Sequence, residues 1–448
     1  MPPTTDTQAE TGVTRQFCSW VRQLELDDIP SHIQERAKYL ILDGIGCAIV
    51  AAHLPWTEKA TNIVLGMESP GPCPVWGYNK KVGPLPAALL NSTQIQGFEI
   101  DDWHSRAPLH SNAIVLPVLF AAAANGKAKG TTTTGKSLLL ATIAGYETGP
   151  RVGLCLHGSD MLSRGWHSGV VFGHAAAAAA AGKLLNLQTS EIEDAIGISC
   201  TQACGLMSAQ FSSDAKRMQH GFAARNGLFG ALLAAGGYTG IKNVFDEPYG
   251  GFLTMFSQGS DNDPQFLEQE LQEHPNKLRD LSTISKITFD MSESAHKHGG
   301  WLARRPLTAT GAQMSCAYVA AVQLIDGEVQ PQQFHDDALD RDAIWELVEK
   351  TECRQTDEFN AIFSQRATIA FKDGTEITKQ LNASKGVDPA LSNEEIVGKY
   401  RRFTKGLISD ERQEAIEEAV LGLDNVDDIS TLEDLLVDDI ASPFNNGG

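Results

Sequence analysis

The chain has few basic residues and no long hydrophobic run. Its 448 residues include 36 lysines and arginines against 56 aspartates and glutamates, so the formal net charge is −20 at pH 7. Such an excess repels phosphate backbones and anionic headgroups, which argues against binding to nucleic acids or to an anionic membrane. No apolar run has the length of a membrane span; even residues 170–181 are mostly alanine and contain His174.

Cysteines are scarce and irregularly spaced. The chain has eight of them, and without a regular spacing in a chain this long they are typical of reduced, intracellular thiols. Residues 1–13 are polar and acidic, without the apolar core of a secretory signal or the arginines of a transit peptide. We therefore expect a soluble, cytoplasmic protein.

Apolar residues recur at three- and four-residue spacing through most of the first 256 residues, which is typical of helices. The segments with this pattern are residues 14–24, 33–51, 87–96, 115–124, 137–146, 170–185 and 223–236. We predict a large all-α domain over residues 1–258. Residues 259–280 are polar and charged and are typical of a linker.

After the linker the pattern becomes mixed. Strand-like segments are residues 284–289, 367–371 and 376–381, the last two separated by a Lys-Asp-Gly-Thr turn. Helical patterns cover residues 311–325 and 342–350. We predict a smaller α+β domain over residues 259–392 and returning helices, rich in acidic residues, over residues 393–448. The predicted fold class is mainly α.

Residues 99–110 form the most unusual stretch of the chain. They contain three carboxylates, two imidazoles and an arginine, and apolar, alanine-rich segments flank them on both sides. A charged side chain costs several kcal/mol to bury unless it is paired, so a charged stretch between core-like segments needs a reason. An active site is one such reason, and a solvated loop between helices is the alternative.

Residues 130–137 read Gly-Thr-Thr-Thr-Thr-Gly-Lys-Ser and match the P-loop pattern letter for letter. A P-loop requires a buried strand before it, so that the loop can hold phosphates at a helix N-terminus. The preceding residues resemble the end of a helix instead. We interpret the segment as a loop whose polar side chains cap a helix that begins near Ser137.

Three further candidates each have a structural alternative. His167 lies between glycines before an alanine-rich helix, where it could approach an anion or be a surface histidine in a turn. Lys216 and Arg217, followed by His220, suit carboxylate binding, although an ordinary cationic loop is the preferred interpretation in isolation. Tyr318 lies in an amphipathic helix, as a proton donor or as a core residue.

Taken together, residues 36–46, 99–110, 165–167, 203–208 and 216–227 resemble the MmgE/PrpD family, which includes 2-methylcitrate dehydratases and cis-aconitate decarboxylases. The similarity is greatest to the fungal cis-aconitate decarboxylases and extends over nearly the whole chain. It implies a large helical domain, a smaller α+β lid domain and a homodimer. It also implies chemistry without a cofactor or a metal, in the cleft between the two domains.

The resemblance implies decarboxylation of cis-aconitate to itaconate, or of an alkylated aconitate, and it implies a set of catalytic residues. These are Asp101, Asp102, His104, His110, His167, Lys216 and Tyr318. Lys216 and the imidazoles would bind the substrate carboxylates, and one of the histidines at positions 104, 110 and 167 would protonate carbon. The two aspartates would set histidine tautomers and pKa values, and Tyr318 would help to close the site from the lid.

The chain departs from the family pattern at the entry to the lid domain. A lysine, a nearby downstream histidine and a Gly-rich apolar stretch of the family are absent between Phe256 and Ile284. His274 and Lys277 lie there in the reverse order, and we give them no role.

Three alternatives to decarboxylation therefore stay open. They are a 2-alkylcitrate dehydratase, a catalytically impaired dimeric paralogue, and a metal-dependent hydrolase built on Asp101, Asp102, His104 and His110.

Overall fold

The structure is a computed structural model that describes residues 12–104, 106–257, 284–326, 329–359, 364–372, 374–381 and 390–444. The predicted linker, with His274 and Lys277, lies outside these ranges, as does one residue of the predicted hairpin turn, Asp373. Within the described ranges the fold is mainly α, which confirms the predicted fold class.

Helices form most of the first part of the chain. They are α1 (Val13–Gln23), α2 (Ser31–Ala51), α3 (Pro55–Met67), α4 (Pro84–Ile95), α5 (Ser111–Lys127), α6 (Gly135–Cys155), α7 (Gly158–Ser163), α8 (Ser168–Leu184), α9 (Thr189–Cys200), α10 (Ala215–Ala235) and α11 (Phe252–Ser257), with short 3-10 turns at Leu26–Asp28 and Met207–Phe211. All seven segments predicted from apolar spacing are helical. Periodicity identified them because each has to bury an apolar face.

A small hairpin interrupts these helices and corrects the prediction that the first domain is all-α. Strand β1 (Pro70–Val75) pairs antiparallel with β2 (Lys80–Val82). The prolines in β1 remove backbone donors and hide the strand pattern. The side chain of Asn91 on α4 holds the end of β1: its Oδ1 accepts from Trp76 N at 3.0 Å and its Nδ2 donates to Pro74 O at 3.0 Å.

The helices of the first part of the chain form what we call the helical unit, or first unit. Helix α8 lies at its centre and packs against α5, α6, α9 and α10. Residues 168–182 are all buried, as expected for a helix that is apolar on every side. Small residues let the neighbouring helices approach closely. A β-carbon on Gly227 of α10 would lie 2.2 Å from that of Ala177, so this contact requires glycine.

The P-loop-like segment caps a helix, as interpreted from the sequence. Thr134 is the N-cap of α6, and its hydroxyl accepts a hydrogen bond from Ser137 N at 3.2 Å. The amide of Gly135 donates to the carbonyl of Val426 at 2.8 Å. The loop is thus packed against the C-terminal part of the chain.

The second part of the chain, called the second unit below, combines short helices with a four-stranded sheet. The elements are β3 (Ile284–Met291), α12 (Glu293–Gly299), α13 (Ala309–Gln313), α14 (Cys316–Asp326), α15 (Asp336–Leu339), α16 (Asp342–Glu349), β4 (Thr351–Gln355), β5 (Gln365–Phe371) and β6 (Glu376–Leu381), with a 3-10 turn at Pro331–Phe334. The strand order is β4-β3-β5-β6, with β3 and β4 parallel and the other pairs antiparallel. The predicted helix over residues 311–325 is broken into α13 and α14, and strand β4 was not predicted.

The chain then returns to the helical unit. Helices α17 (Asn393–Thr404) and α18 (Asp410–Leu421) pack against α2, and α19 (Ser430–Val437) packs against α5 and β1; a 3-10 turn lies at Leu423–Asn425. Lys399 of α17 forms a 2.6 Å ion pair with Asp43 of α2. Among the described residues, no single helix is long and apolar enough to cross a membrane; only α2 and α3 taken together, across an 86° bend, would pass by length and composition.

Candidate active site

The charged stretch at residues 99–110 connects α4 to α5, and Asp101 and residues 107–110 within it are buried. Its first residue, Glu99, has a left-handed backbone with φ of 57°, which is uncommon for a residue with a side chain. The carboxylate faces the start of α10, where it lies 2.6 Å from Lys216 Nζ and 2.9 Å from Arg217 Nη1. The solvated-loop alternative for residues 99–110 is therefore wrong.

Lys216 and Arg217 are buried cations, 2% and 1% exposed, so the interpretation of an ordinary cationic loop is also wrong. Burial by itself would raise the pKa of Glu99, but the charges of Lys216 and Arg217 outweigh it and hold that pKa well below its usual range. One carboxylate thus faces two cations. An anionic ligand can use the positive charge that remains.

Asp101 and His110 form a second buried pair, with 3.0 Å between Oδ1 and Nδ1. Burial lowers the pKa of His110, but the adjacent Asp101 carboxylate raises it more, so the net shift is upward. The charged form of the His110 imidazole is thereby favoured. The indole of Trp103 packs edge-to-face against the His110 ring, with 4.9 Å between the ring centroids. His110 can therefore hold a proton in a site of low polarity.

Two further imidazoles continue from His110. The ring of His220 lies 5.1 Å from that of His110 and 4.8 Å from that of His167. Burial lowers the pKa of both His167 and His220 well below the usual range. The charge of Lys216 adds to this effect for His167, and the neighbouring imidazoles add to it for His220. Among the described residues, neither ring nitrogen of His167 or His220 has a hydrogen-bond partner. Buried polar atoms are normally satisfied, so these nitrogens indicate a place for a ligand or water.

The position of His167 depends on a close backbone contact. His167 precedes α8 as its N-cap residue, as its sequence position suggested, and its amide donates to Gly205 O at 3.1 Å. Gly205 has φ of 125°, and a β-carbon there would lie 2.9 Å from that of His167. Only glycine fits this contact without displacing the histidine.

His110, His167 and His220, with Glu99, Asp101, Lys216 and Arg217 beside them, are called the histidine cluster below. Asp102 and His104 have local hydrogen-bond partners outside it. Asp102 accepts hydrogen bonds from the amides of Ser111 (2.9 Å) and Asn112 (2.7 Å) at the start of α5, while burial and the neighbouring Asp101 raise its pKa to about 7. His104 Nδ1 accepts from the Ala107 amide at 3.0 Å, and burial, with a smaller effect of Arg106, lowers the His104 pKa to about 4.

Both residues line a cavity of about 960 Å³ on the side of α17, and Glu99 and Asp101 line it as well. Catalytic roles for Asp102 and His104 stay predictions.

Tyr318 makes its hydrogen bonds within the second unit, and its catalytic role stays a prediction. It is fully buried in the second unit, where its hydroxyl is positioned to donate to the carbonyls of Ala338 (3.2 Å) and Gln333 (3.4 Å). Its ring packs against those of Phe334 and Trp345. These contacts support its interpretation as a core residue.

A cavity of about 300 Å³ lies where the two units meet, beside the histidine cluster. Its lining residues are Leu162, Ser163, Gly165, Leu206, Met207, Ser208, Gln210, Phe211, Ser294, Lys297 and His298. The segments at 162–165 and 206–211 flank His167, and the last three residues belong to α12 of the second unit. Arg217 also donates a hydrogen bond across this junction, to Gln313 of α13. The cluster is therefore adjacent to an open space between the units.

The four residues of the hydrolase alternative do not form a metal site. Throughout the described ranges, no three His, Cys, Asp or Glu side chains are grouped as ligands of one ion. Asp101 faces His110, whereas Asp102 is bound to backbone amides. The geometry gives no support to that alternative.

Comparison with known proteins identifies the family. The model of the MmgE/PrpD N-terminal domain matches residues 15–265, and that of the MmgE/PrpD C-terminal domain matches residues 266–425. The chain belongs to the MmgE/PrpD family. The resemblance inferred from residues 36–46, 99–110 and the later segments is thereby confirmed.

Relatives in this family match nearly the full length of the chain. A cis-aconitate decarboxylase-like protein of Aspergillus oryzae is 44% identical over 472 residues, covering 96% of this chain and 98% of the relative. The cis-aconitate decarboxylase of Aspergillus terreus is 43% identical over 483 residues, covering 98% and 99%. The human cis-aconitate decarboxylase is 26% identical over 468 residues, covering 95% and 94%.

These alignments are longer than the chain of 448 residues. They therefore include positions at which this MmgE/PrpD member has no residue. The predicted departure between Phe256 and Ile284 falls mostly outside the described residues, so its location stays a prediction.

Several residues of the cluster were not chosen from the sequence. His220 lies four positions after Lys216, which places both on one face of α10, and that spacing was a usable signal. Glu99 was part of the charged stretch, but nothing local showed that its carboxylate pairs with α10. His298 and Gln313 come from the second unit, and no local pattern connects them to residues of the first.

Proposed function

We propose that this chain is a carbon–carbon lyase that removes carbon dioxide from cis-aconitate, or from an alkylated aconitate, without a cofactor. Relatives that match nearly its whole length are named cis-aconitate decarboxylases. The observation that carries the proposal is the buried cluster in which Lys216 and Arg217 accompany imidazoles with unpartnered nitrogens in the described structure. A small polyanion that fits between the units would satisfy these groups.

Substrate binding would use the charge that the cluster has left over. Glu99 compensates for one of the two cations, so a carboxylate of the substrate can bind beside Lys216 and Arg217. The neutral imidazoles of His167 and His220 can donate hydrogen bonds to further substrate oxygens. Burial strengthens each of these interactions because water does not screen them.

The reaction itself breaks the bond between one carboxyl carbon and its neighbour. Carbon dioxide leaves, and the electron pair remains on an allylic carbon, where the remaining carboxylates delocalise it. Positive charge at Lys216 stabilises this developing anion. A proton must then reach carbon, and His110 is the best donor because Asp101 favours its charged form. Since Nδ1 faces Asp101, the proton would come from Nε2.

The second unit would act as a lid over this site. A 2.5 Å hydrogen bond between the hydroxyls of Ser163 and Ser294, and the contact of Arg217 with Gln313, support such a closure. Closure would exclude water from the site. Water would otherwise protonate the carbanion without control. The homodimer and the cytoplasmic location that we expect rest on the resemblance and the composition.

The proposal is tested by incubating the purified protein with cis-aconitate and following itaconate and carbon dioxide by NMR. Release of both supports it, whereas loss of water from 2-methylcitrate without decarboxylation of cis-aconitate favours the dehydratase. K216M should abolish turnover. The matched control is K59M, which removes a lysine whose ion pair with Asp214 is exposed, and it should retain wild-type rates.

A catalytically impaired paralogue remains the second candidate, because the alignments with the relatives include positions that this chain lacks. A folded dimer that turns over neither cis-aconitate nor 2-methylcitrate would favour it. Insertion of the corresponding segment from the Aspergillus terreus relative should then restore activity.

A further inference from the structure

Helix α12 of the second unit presents one face to the first unit. Its residue Ser294 forms the 2.5 Å hydroxyl–hydroxyl hydrogen bond with Ser163 at the end of α7. Residues four apart on a helix lie on the same face, so His298 follows Ser294 toward the first unit. Both line the cavity of about 300 Å³ between the units.

His298 also faces the charged groups of the cluster. It is half-buried, and it interacts electrostatically with Lys216, Glu99 and His110. Burial, followed by the charge of Lys216, lowers its pKa to about 4. At neutral pH the ring is therefore uncharged, so it can donate one hydrogen bond and accept another.

The fold holds His298 in this position from the other side. Helix α12 starts directly after strand β3, and Ser292 caps it by accepting a hydrogen bond from the Ala295 amide at 3.3 Å. Strand β3 is paired on both edges, with β4 and β5. The helix is thus anchored to the sheet at its start and to the first unit through Ser294.

We propose that His298 is a substrate-binding residue of the candidate active site, contributed by the second unit, and that its imidazole donates a hydrogen bond to a carboxylate of a tricarboxylate held by Lys216. The inference rests on the proposed function and extends it to the wall opposite the cluster. His298 is not the acid of the reaction, because a neutral imidazole that gave up its proton would become an unstable anion. His110 keeps that role.

This role predicts a specific kinetic signature. A hydrogen bond to a charged group is strong enough that H298A should raise KM for cis-aconitate about ten- to hundredfold. The value of kcat should change by no more than about threefold, because the ground state and the transition state lose the same contact. H298Q retains an amide donor and should recover part of the loss.

The matched control is H296Q. His296 lies on the same helix, two positions earlier, and it does not line the cavity. H296Q should keep the wild-type KM, and thermal unfolding should show that the variants are folded. If H298A fails to fold, H298Q and H298N carry the test.

An unchanged KM in H298A, an equal rise in H296Q, or a fall in kcat without a rise in KM would overturn the assignment of His298.

Titration calorimetry with propane-1,2,3-tricarboxylate, a saturated analogue, separates this inference from the proposed function. Analogue binding that is weakened in H298A supports the role of His298 even if the wild-type protein shows no turnover. Turnover with unchanged binding in H298A leaves the decarboxylase proposal intact and removes His298 from it. A wild-type protein that neither binds the analogue nor turns over cis-aconitate overturns both.

Discussion

Glu99 and Lys216 form a buried ion pair of 2.6 Å although they lie 117 positions apart in the sequence. The pair connects the charged stretch at residues 99–110 to the first turn of α10. It forms even though the backbone of Glu99 is left-handed, a conformation that costs energy for a residue with a side chain. We infer that the two buried cations beside Glu99 compensate for this cost.

Removal of the Glu99 charge should destabilise the fold. E99Q leaves Lys216 and Arg217 buried without the carboxylate that contacts both of them, and the expected loss in the free energy of unfolding is about 3–5 kcal/mol. Urea denaturation followed by circular dichroism at pH 7 measures it. The control is E293Q, whose carboxylate pairs with Lys297 on the surface and whose removal should cause no measurable change. E99Q as stable as the wild type would contradict the prediction.

Removal of the Asp101 charge should shift the pH dependence of kcat. If His110 donates the proton, activity falls as the pH rises through its pKa, because the neutral ring is too weak an acid to give up its remaining proton. Asp101 raises that pKa, so D101N should move the fall in activity to lower pH. E58Q, beside His53 at 3.3 Å, is the control and should keep the wild-type profile. An unshifted profile in D101N would show that His110 is not the titrating donor.

His174 should make the protein less stable in acid. This histidine of α8 is fully buried, and its Nδ1 lies 2.6 Å from Val170 O. Burial lowers its pKa to about 4, whereas the unfolded chain has the usual value of about 6.5. The unfolded chain therefore takes up a proton first. The contribution of His174 is complete above pH 6.5 and declines as the pH falls toward 4, by up to about 3 kcal/mol.

H174N should show a shallower decline in unfolding free energy than the wild type between pH 6.5 and 4, measured by urea denaturation across that range. H335N, which removes a half-exposed histidine, should follow the wild type. Parallel curves for H174N and the wild type would refute the assignment of this pH dependence to His174.

The contact between Gly205 and His167 should be essential for activity. G205A places a methyl group 2.9 Å from the β-carbon of His167, so the histidine has to move and kcat/KM should fall at least about tenfold. G237A is the matched control, because Gly237 has a similar positive φ of 84° but no atom within 4 Å of the added carbon. Both variants incur backbone strain of about 1–3 kcal/mol, and only G205A should lose activity. Equal activities of the two variants would contradict the prediction.

The local patterns of this sequence were sufficient to predict most helices, the β5–β6 pair and the cap at Thr134. Helix α8 is an example: the fifteen consecutive residues 168–182, all small or apolar except His174, are buried, and no other environment suits such a segment. Hairpin β1–β2 was missed because its prolines hide the strand pattern and because its stabilising partner, Asn91, lies on a different element. The break between α13 and α14 has no equally clear local signal.

The sequence by itself therefore determined the helical character of the chain, its family, and the stretch at residues 99–110 as an active-site candidate. Only the tertiary structure decided which charges meet. It paired Glu99 with α10, brought His220 between His110 and His167, and kept Tyr318 in the core of the second unit. Helix periodicity and capping act within a few residues and can be read along the chain. Ion pairs and ring contacts depend on how distant segments pack, and that packing is a property of the whole fold.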